Sequence, residues 1–172
     1  MGRLGRLTSI AYSNAERSEL KIKHGAVLSK GSKPIFNGMN TSRTKSLKKI
    51  YFCEHAEVNV VRQFINRMSR KKGKKWTKRN IGKFIVWVVR INSKCENSDH
   101  FKVTESKPCQ NCIDELKQIG IKRIGYSNID GNIIVKKIDT LTGILSGAQM
   151  SYKRQFNSVY HWSQSRSFHN IF

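Results

Sequence analysis

Apolar residues in the first part of the chain are spaced first as in a helix and then as in strands. Over residues 4–21 they stand three and four positions apart, which predicts an amphipathic helix; they are Leu4, Leu7, Ile10, Ala11 and Ala15. Two short apolar runs follow, at residues 24–30 and 33–40, and Gly31-Ser32 joins them. This arrangement predicts a β-hairpin.

The middle of the chain combines one further helical pattern with one continuous apolar run. Residues 41–50 are polar and basic and predict a loop. A second helix is expected over residues 55–68, and its buried face would consist of Val58, Val61, Phe64, Ile65 and Met68. Residues 84–89 are apolar without alternation, which is typical of a central strand that is covered on both faces.

The last pattern is a helix followed by a hairpin. Residues 92–107 are polar and predict a connector, and the third helix runs from Cys109 to Ile119 with Gly120 as its natural end. Residues 123–129 and 132–138 are strands around Asp130-Gly131, a dipeptide that favours tight hairpins. No helix fits between these two strands, so they must be antiparallel. The whole indicates an α/β fold with one domain over residues 1–172 and a core over about residues 23–139.

Charge narrows the range of partners. Of 172 residues, 33 are Lys or Arg and 11 are Asp or Glu, which gives a net charge of +22. Basic residues concentrate in an insert at residues 69–82 and alternate with aromatic residues in a C-terminal tail at about residues 146–172. Such a surface attracts anions, nucleic acid above all. No segment reaches the roughly 18 apolar residues of a membrane span, and the N-terminus has no apolar signal region. We therefore expect an intracellular, cytoplasmic protein without a membrane partner.

Two short motifs carry candidate chemistry, and each stands at the start of a predicted helix. The first is His55-x-Glu57 and the second is Pro108-Cys109-x-x-Cys112. Cysteines three apart share one helix face, and a helix N-terminus favours the thiolate over the thiol. With the His55 imidazole they make three ligands and leave a fourth position open, which is typical of a catalytic zinc ion.

Glu57 has a different expected role. It stands two residues after His55 and cannot easily share the direction of that side chain toward a metal. An uncoordinated carboxylate beside a zinc-activated water is suited to carry protons. Cys53 would close the site as a fourth ligand, but it lies just outside the helix. A thioredoxin-like redox pair would leave His55 and Glu57 without a role.

Together, H-x-E and P-C-x-x-C form the signature of zinc nucleobase deaminases. At these residues the chain resembles the cytidine deaminase-like superfamily, in particular its cytidine and deoxycytidylate deaminase zinc-binding domain. Residues 24–28 and the Gly38-x-Asn40 motif extend the similarity. The resemblance implies a three-layer α/β/α cytidine deaminase-like fold with a five-stranded mixed sheet that ends in the hairpin, a Zn²⁺ cofactor and a homo-oligomer. It also implies that Asn40 binds the sugar, that the Ala56 backbone contacts the base edge and that Ser106 is a substrate-side hydroxyl.

Three functions follow from these features. The favoured one is zinc-dependent hydrolytic deamination of a cytosine nucleoside or deoxynucleotide, with phosphate contacts from Arg43, Lys45 or Lys107. The second is deamination of bases within RNA or single-stranded DNA, held by the tail and by Lys74, Lys75 and Trp76 of the insert. The third is a basic nucleic-acid-binding or packaging protein on a deaminase scaffold. The terminal hairpin resembles the free-nucleoside branch of the superfamily, whereas the charge favours a polynucleotide.

Overall fold

A computed structural model describes residues 3–46, 49–50, 53–94, 101–145 and 150. Its helices are α1 (Arg3–Glu16), α2 (Ala56–Lys72), α3 (Lys74–Asn80) and α4 (Gln110–Ile119). Its strands are β1 (Lys23–Lys30), β2 (Lys33–Met39), β3 (Lys45–Ser46), β4 (Lys49–Ile50), β5 (Ile85–Lys94), β6 (Phe101–Thr104), β7 (Arg123–Ser127) and β8 (Ile133–Lys137). The predicted C-terminal tail, residues 146–172, lies outside these described residues except for position 150.

The main sheet is mixed and has the strand order β2-β1-β5-β7-β8. Along this order of described strands, β5 and β7 are parallel; β1 is antiparallel to both neighbours, and β7 and β8 form an antiparallel hairpin. Gly131 in the hairpin turn has a φ of 81°, which glycine adopts without steric cost. The predicted mixed sheet with a terminal hairpin is therefore confirmed; five strands lie along this order, and β6 joins the sheet as a sixth strand beside β5.

Helices cover both faces of this sheet, as expected for a three-layer α/β/α fold. On one face, Leu7 and Ala11 of α1 pack with Trp87 and Val89 of β5. On the other face, α2 and α4 pack against the alternate residues of β5, among them Val88. Because β5 is buried on both faces, it can be apolar without alternation, as its sequence predicted.

The first helix ends earlier than its apolar spacing predicts. It stops at Glu16, not near residue 21, because Ser18 takes over as a turn residue. The Ser18 N–H donates to the Ala15 carbonyl at 3.0 Å, and its hydroxyl donates to Asn40 Oδ1 at 2.8 Å. The side chain thereby connects the end of α1 to the end of β2.

Three segments that were expected to be irregular are partly ordered. The second helix continues past Met68 to Lys72, Gly73 breaks it at a φ of 86°, and α3 follows. The basic insert at residues 69–82 is thus mostly helical, and its Lys and Arg side chains are exposed to solvent. The predicted loop at residues 41–50 contains the β3–β4 pair, and the predicted connector at residues 92–107 contains β6, which pairs with the end of β5. None of the described helices is long and apolar enough to cross a membrane.

Candidate active site

The two motifs meet where α2 and α4 begin, at the carboxyl end of the central strand β5. His55 is the N-cap residue of α2, and Glu57 lies in its first turn. Cys109 is the N-cap residue of α4, and Cys112 lies in its first turn. The predicted helix starts are therefore confirmed, and they bring side chains together that are 54 and 57 residues apart in sequence.

The three predicted metal ligands form one cluster. His55 Nδ1 lies 3.5 Å from the sulfur of Cys109 and 3.2 Å from the sulfur of Cys112. One ligand atom from each of the three residues lies within 4.8 Å of the others. Two sulfurs and an imidazole nitrogen are donors that zinc prefers. These residues fit Zn²⁺ binding.

The ionisation of this cluster shows how tightly its groups interact. A hydrogen bond from Cys112 is the main reason that the pKa of Cys109 falls to about 4, and His55 lowers it further. The same bond, together with burial, raises the pKa of Cys112 well above its usual value. Burial opposes protonation of His55, but hydrogen bonds to Cys109 and Cys53 outweigh it and raise the His55 pKa to about 11. Metal binding requires both thiols and the imidazole nitrogen without their protons, so a divalent cation would displace those protons.

Glu57 is buried next to this cluster and is not part of it. Its side chain is only 4 % exposed, and burial raises the pKa of its carboxyl group. The charges of His55 and Cys109 act on the carboxyl in opposite directions, which places it close to both. A raised pKa brings a carboxyl group closer to the neutral range, in which a proton carrier works best.

The motif pair and its geometry agree with a comparison against protein families. The family model described as "Cytidine and deoxycytidylate deaminase zinc-binding region" matches residues 2–128, well over half of the chain. The chain belongs to this family. Deaminase and zinc-binding chemistry therefore describe this chain at the level of its family.

A solved structure resembles this deaminase-family chain more distantly. A crystal structure titled as that of dCMP deaminase from the cyanophage S-TIM5 in apo form is similar to it at 17 % sequence identity. The similarity covers 72 % of this chain and 81 % of that chain, with a TM-score of 0.43. No curated protein matches the chain.

Asn40, the residue expected to bind a sugar, is committed to bonds within the protein. Its Oδ1 accepts hydrogen bonds from the Ser18 hydroxyl and the His24 N–H, each at 2.8 Å. Its Nδ2 donates to the Ile22 carbonyl at 2.6 Å. Asn40 is also buried, so a substrate hydroxyl would find at most one remaining amide hydrogen. The sugar contact stays a prediction.

The other two residues expected on the substrate side, Ala56 and Ser106, are both buried. Ala56 is fully buried as the first residue of α2. Ser106 is buried, and its hydroxyl donates to the Val88 carbonyl at 2.9 Å and accepts from the Ser127 N–H at 2.8 Å. It thus ties β5 to β7 just before the chain enters the Pro108-Cys109 turn. The substrate contact of Ser106 stays a prediction.

The predicted cationic contacts are spread over the surface. Arg43 and Lys107 are exposed, and the backbone of Lys45 lies in β3. Lys74 and Lys75 are exposed at the start of α3, beyond the 17 residues of α2. That helix is about 25 Å long, so its far end is remote from the metal cluster. Trp76 in α3 is partly buried and packs against the core, which leaves little of its ring for stacking.

A buried acid next to His55 was not anticipated from the sequence. Glu54 is 1 % exposed and makes two bonds to the Arg62 guanidinium, at 2.6 and 3.1 Å. Asn59 Nδ2 donates to the same carboxylate at 2.8 Å. These bonds attach Glu54, the residue directly before the metal ligand His55, to side chains of α2. The available signal was an acid directly before H-x-E followed by a basic residue two helical turns later.

A second unexpected feature is the cross-strand pair of His24 and Arg90. These residues are directly opposite each other on β1 and β5, on the face that carries Ala26 and Val88 toward α2. Burial lowers the pKa of His24 to about 3, and the nearby charges of His55 and Arg90 contribute. Arg90 Nε is buried and has no hydrogen-bond partner within the described part of the chain. The pair therefore lies near His55 of the metal cluster, and the Arg90 Nε–H is a donor without an acceptor among the described residues.

Proposed function

We propose that this protein is a zinc-dependent hydrolytic deaminase of a cytosine nucleoside or deoxynucleotide. The observation that carries the proposal is the buried Glu57 beside a cluster of three metal ligands at the ends of two helices. Three protein ligands leave a coordination position free for water or substrate, whereas a structural zinc is usually closed by four. Family membership supports the same chemistry at a coarser level.

In this mechanism the protein residues provide proton transfer and position the reactants. Zinc, when held by His55, Cys109 and Cys112, supplies a Lewis acid that makes water acidic enough to attack near neutral pH. Glu57 takes a proton from the attacking water and passes it to N3 as the new carbon–oxygen bond forms at C4. Glu57 then transfers the second water proton to the amine, the C4–N4 bond breaks, and ammonia leaves. Burial suits Glu57 to this role because it raises the pKa of the carboxyl group.

Arg90 is the residue that we assign to an anionic group of the substrate. Its Nε is buried without a partner among the described residues, and a partly buried guanidinium without an acceptor is costly. His24, opposite Arg90, is neutral at physiological pH. Within this pair, Arg90 is therefore the cation that would bind an anion. A substrate phosphate would satisfy the guanidinium with charge-assisted hydrogen bonds. This assignment favours a deoxynucleotide over a nucleoside.

The experiment is an assay of zinc-loaded protein with deoxycytidine, dCMP and a cytosine-containing oligonucleotide, with uracil-type product measured for each. We expect turnover of the monomeric substrates. Glu57→Gln should keep its zinc and lose about 10²-fold or more of kcat, as expected when a general acid–base is removed. Glu19→Gln, an exposed change on the surface, is the matched control and should leave kcat unchanged.

Two results would overturn the proposal. One is wild-type activity in a Glu57→Gln variant that retains zinc, because no proton carrier would then be needed at this position. The other is the absence of turnover of any cytosine substrate by fully zinc-loaded protein. Turnover of the oligonucleotide alone would favour the second predicted function, deamination within a polynucleotide. It would contradict the proposal that the substrate is a nucleoside or deoxynucleotide.

A further inference from the structure

An open groove of about 600 Å³ runs along the solvent side of α2, away from the metal cluster. Phe36 of β2 forms one edge, and polar side chains of α2 between residues 62 and 71 form the rest. These α2 side chains stand in two rows at helical spacing, which are Arg62, Asn66 and Arg70 in one row and Gln63, Arg67 and Lys71 in the other. We call this surface the α2 groove.

The α2 groove carries an uncompensated positive charge. Arg62 is neutralised, because both oxygens of Glu54 pair with its guanidinium. For Arg67, Arg70 and Lys71, no carboxylate partner occurs among the described residues. The helix dipole favours cations in the last turn, which accounts for Arg70 and Lys71. It does not account for Arg67, which lies a turn earlier.

Arg67 is also held in a distinctive way. Its guanidinium carbon lies 5.9 Å from the centre of the Phe36 ring, in a cation–π arrangement. Phe36 is anchored in turn by an edge-on contact with the buried Phe64, at 6.1 Å between ring centres. The floor is fixed as well, because Gln63 Nε2 donates to Asn59 Oδ1 at 2.6 Å. The groove therefore presents a planar cation on a rigid base.

We propose that the α2 groove binds the backbone and bases of a single-stranded nucleic acid. Arginine matches phosphate geometry with two parallel hydrogen bonds, and a guanidinium plane is a surface on which unpaired bases stack. The exposed Asn66 amide lies between the cations, where it can donate and accept hydrogen bonds at base edges. An acidic protein segment would need only the charges and would leave the guanidinium plane of Arg67 and the Asn66 amide unused.

A second copy of this chain is a poor occupant of the same surface. In a two-fold symmetric contact each residue faces an equivalent surface, so Arg67, Arg70 and Lys71 would meet their own counterparts. Like charges brought together in this way cost free energy. The net charge of +22 makes such self-association still less favourable. A polyanion is the complementary ligand.

The proposal concerns binding and does not depend on the proposed deaminase activity. The test therefore uses a short fluorescein-labelled oligothymidine, which contains no cytosine, and full-length zinc-loaded protein. Fluorescence anisotropy would give Kd over a series of salt concentrations. The test variant is Arg67→Gln/Arg70→Gln/Lys71→Gln. The matched control is Lys30→Gln/Lys136→Gln/Lys137→Gln, which removes the same charge from exposed positions on β1 and β8.

The expected result is that the groove variant weakens binding by about tenfold more than the control. Its plot of log K against log salt should also lose about 2 units of slope, as expected for three lost phosphate contacts to a single strand. An abasic strand of equal length should bind more weakly than oligothymidine, because stacking on the Arg67 plane is lost.

Several outcomes would overturn the proposal. Equal weakening by the two triple variants would mean that the net charge alone attracts the strand. Tighter binding of a duplex or of polyglutamate than of oligothymidine would assign the groove to another partner. Melting temperature and zinc content of both variants are measured alongside; if only the groove variant unfolds, single Arg67→Gln and Lys136→Gln changes replace the triples. Equal Kd values for those two single variants would also contradict the proposal.

Discussion

The polar side chains around the three metal ligands differ in how their burial is compensated. Glu57 has a raised pKa, and Glu54 pairs with Arg62 and Asn59. The Asn40 amide forms hydrogen bonds with backbone groups of His24 and Ile22. Arg90 differs from these groups, since its buried Nε has no hydrogen-bond partner within the described part of the chain. A buried donor of this kind beside the metal cluster indicates a place for a ligand.

Arg90 should therefore raise kcat/KM for a nucleotide substrate relative to that for a nucleoside. We expect Arg90→Gln to lower kcat/KM for dCMP by about 10- to 100-fold, the value of a lost charge-assisted hydrogen bond, and to change that for deoxycytidine little. Arg90→Lys should recover part of the loss, because it keeps the charge but not the two parallel bonds. Arg123→Gln, an exposed change at the start of β7, serves as the control. An equal loss for both substrates would contradict the assignment and make Arg90 a structural residue.

His24 gives the site a measurable response to acid. Its pKa is about 3 in the folded protein against 6.5 in the unfolded chain, so the unfolded state binds the proton more readily. The stability from a neutral His24 is complete above pH 6.5 and is lost as pH falls toward 3. Between these values, wild-type protein should lose about 1.4 kcal/mol per pH unit more than His24→Leu. Urea unfolding at several pH values measures the difference. If the unfolding free energy of both proteins changes equally with pH, His24 does not titrate between these values.

Helix α1 lies directly against β1 at Gly25. A Cβ atom at Gly25 would lie 1.9 Å from the Ala11 carbonyl oxygen and 2.4 Å from the Ala15 nitrogen. Both are backbone atoms, so the helix itself would have to move. Gly31, in the turn between β1 and β2, has a φ of 59°, but a Cβ atom there would meet no described atom within 4 Å. The two glycines thus separate the effect of packing from that of backbone conformation.

Gly25→Ala is expected to destabilise the protein by about 3 kcal/mol or more, because α1 must leave its place on the sheet. Gly31→Ala should cost only about 1 kcal/mol, the penalty for a left-handed backbone. Chemical denaturation of both variants provides the comparison. Similar losses for the two would mean that α1 does not rest directly on β1.

The elements predicted best are those whose signal lies in the local sequence. The second helix follows from helical spacing, the central strand from a continuous apolar run, and the terminal hairpin from the Asp130-Gly131 turn. The strand β6 does not, because it forms only by pairing with the overhanging end of β5. The two cysteines of α4 were predictable from their spacing, whereas the His24–Arg90 pair depends on the register between two strands. Local spacing contains no information about that register.

At the scale of the whole molecule, the metal cluster joins parts of the chain that are distant in sequence. His55 opens α2 and the two cysteines open α4, so a bound ion would fix both helices to one end of the sheet. The same end receives the Ser106 bonds to β5 and β7 and the Asn40 bonds to β1. The fold thus places several long-range connections at the end that carries the metal cluster, while the α2 groove lies on the outer surface.

The central claim is an open zinc site with one nitrogen and two sulfur ligands from the protein. X-ray absorption at the zinc edge of purified, zinc-loaded protein tests this most directly. We predict two sulfur neighbours at about 2.3 Å and light-atom neighbours at about 2.0–2.1 Å, from His55 and one exchangeable ligand. A spectrum with three or four sulfur neighbours would mean that Cys53 or another thiol closes the site. That result, or protein that does not retain zinc, would contradict the account.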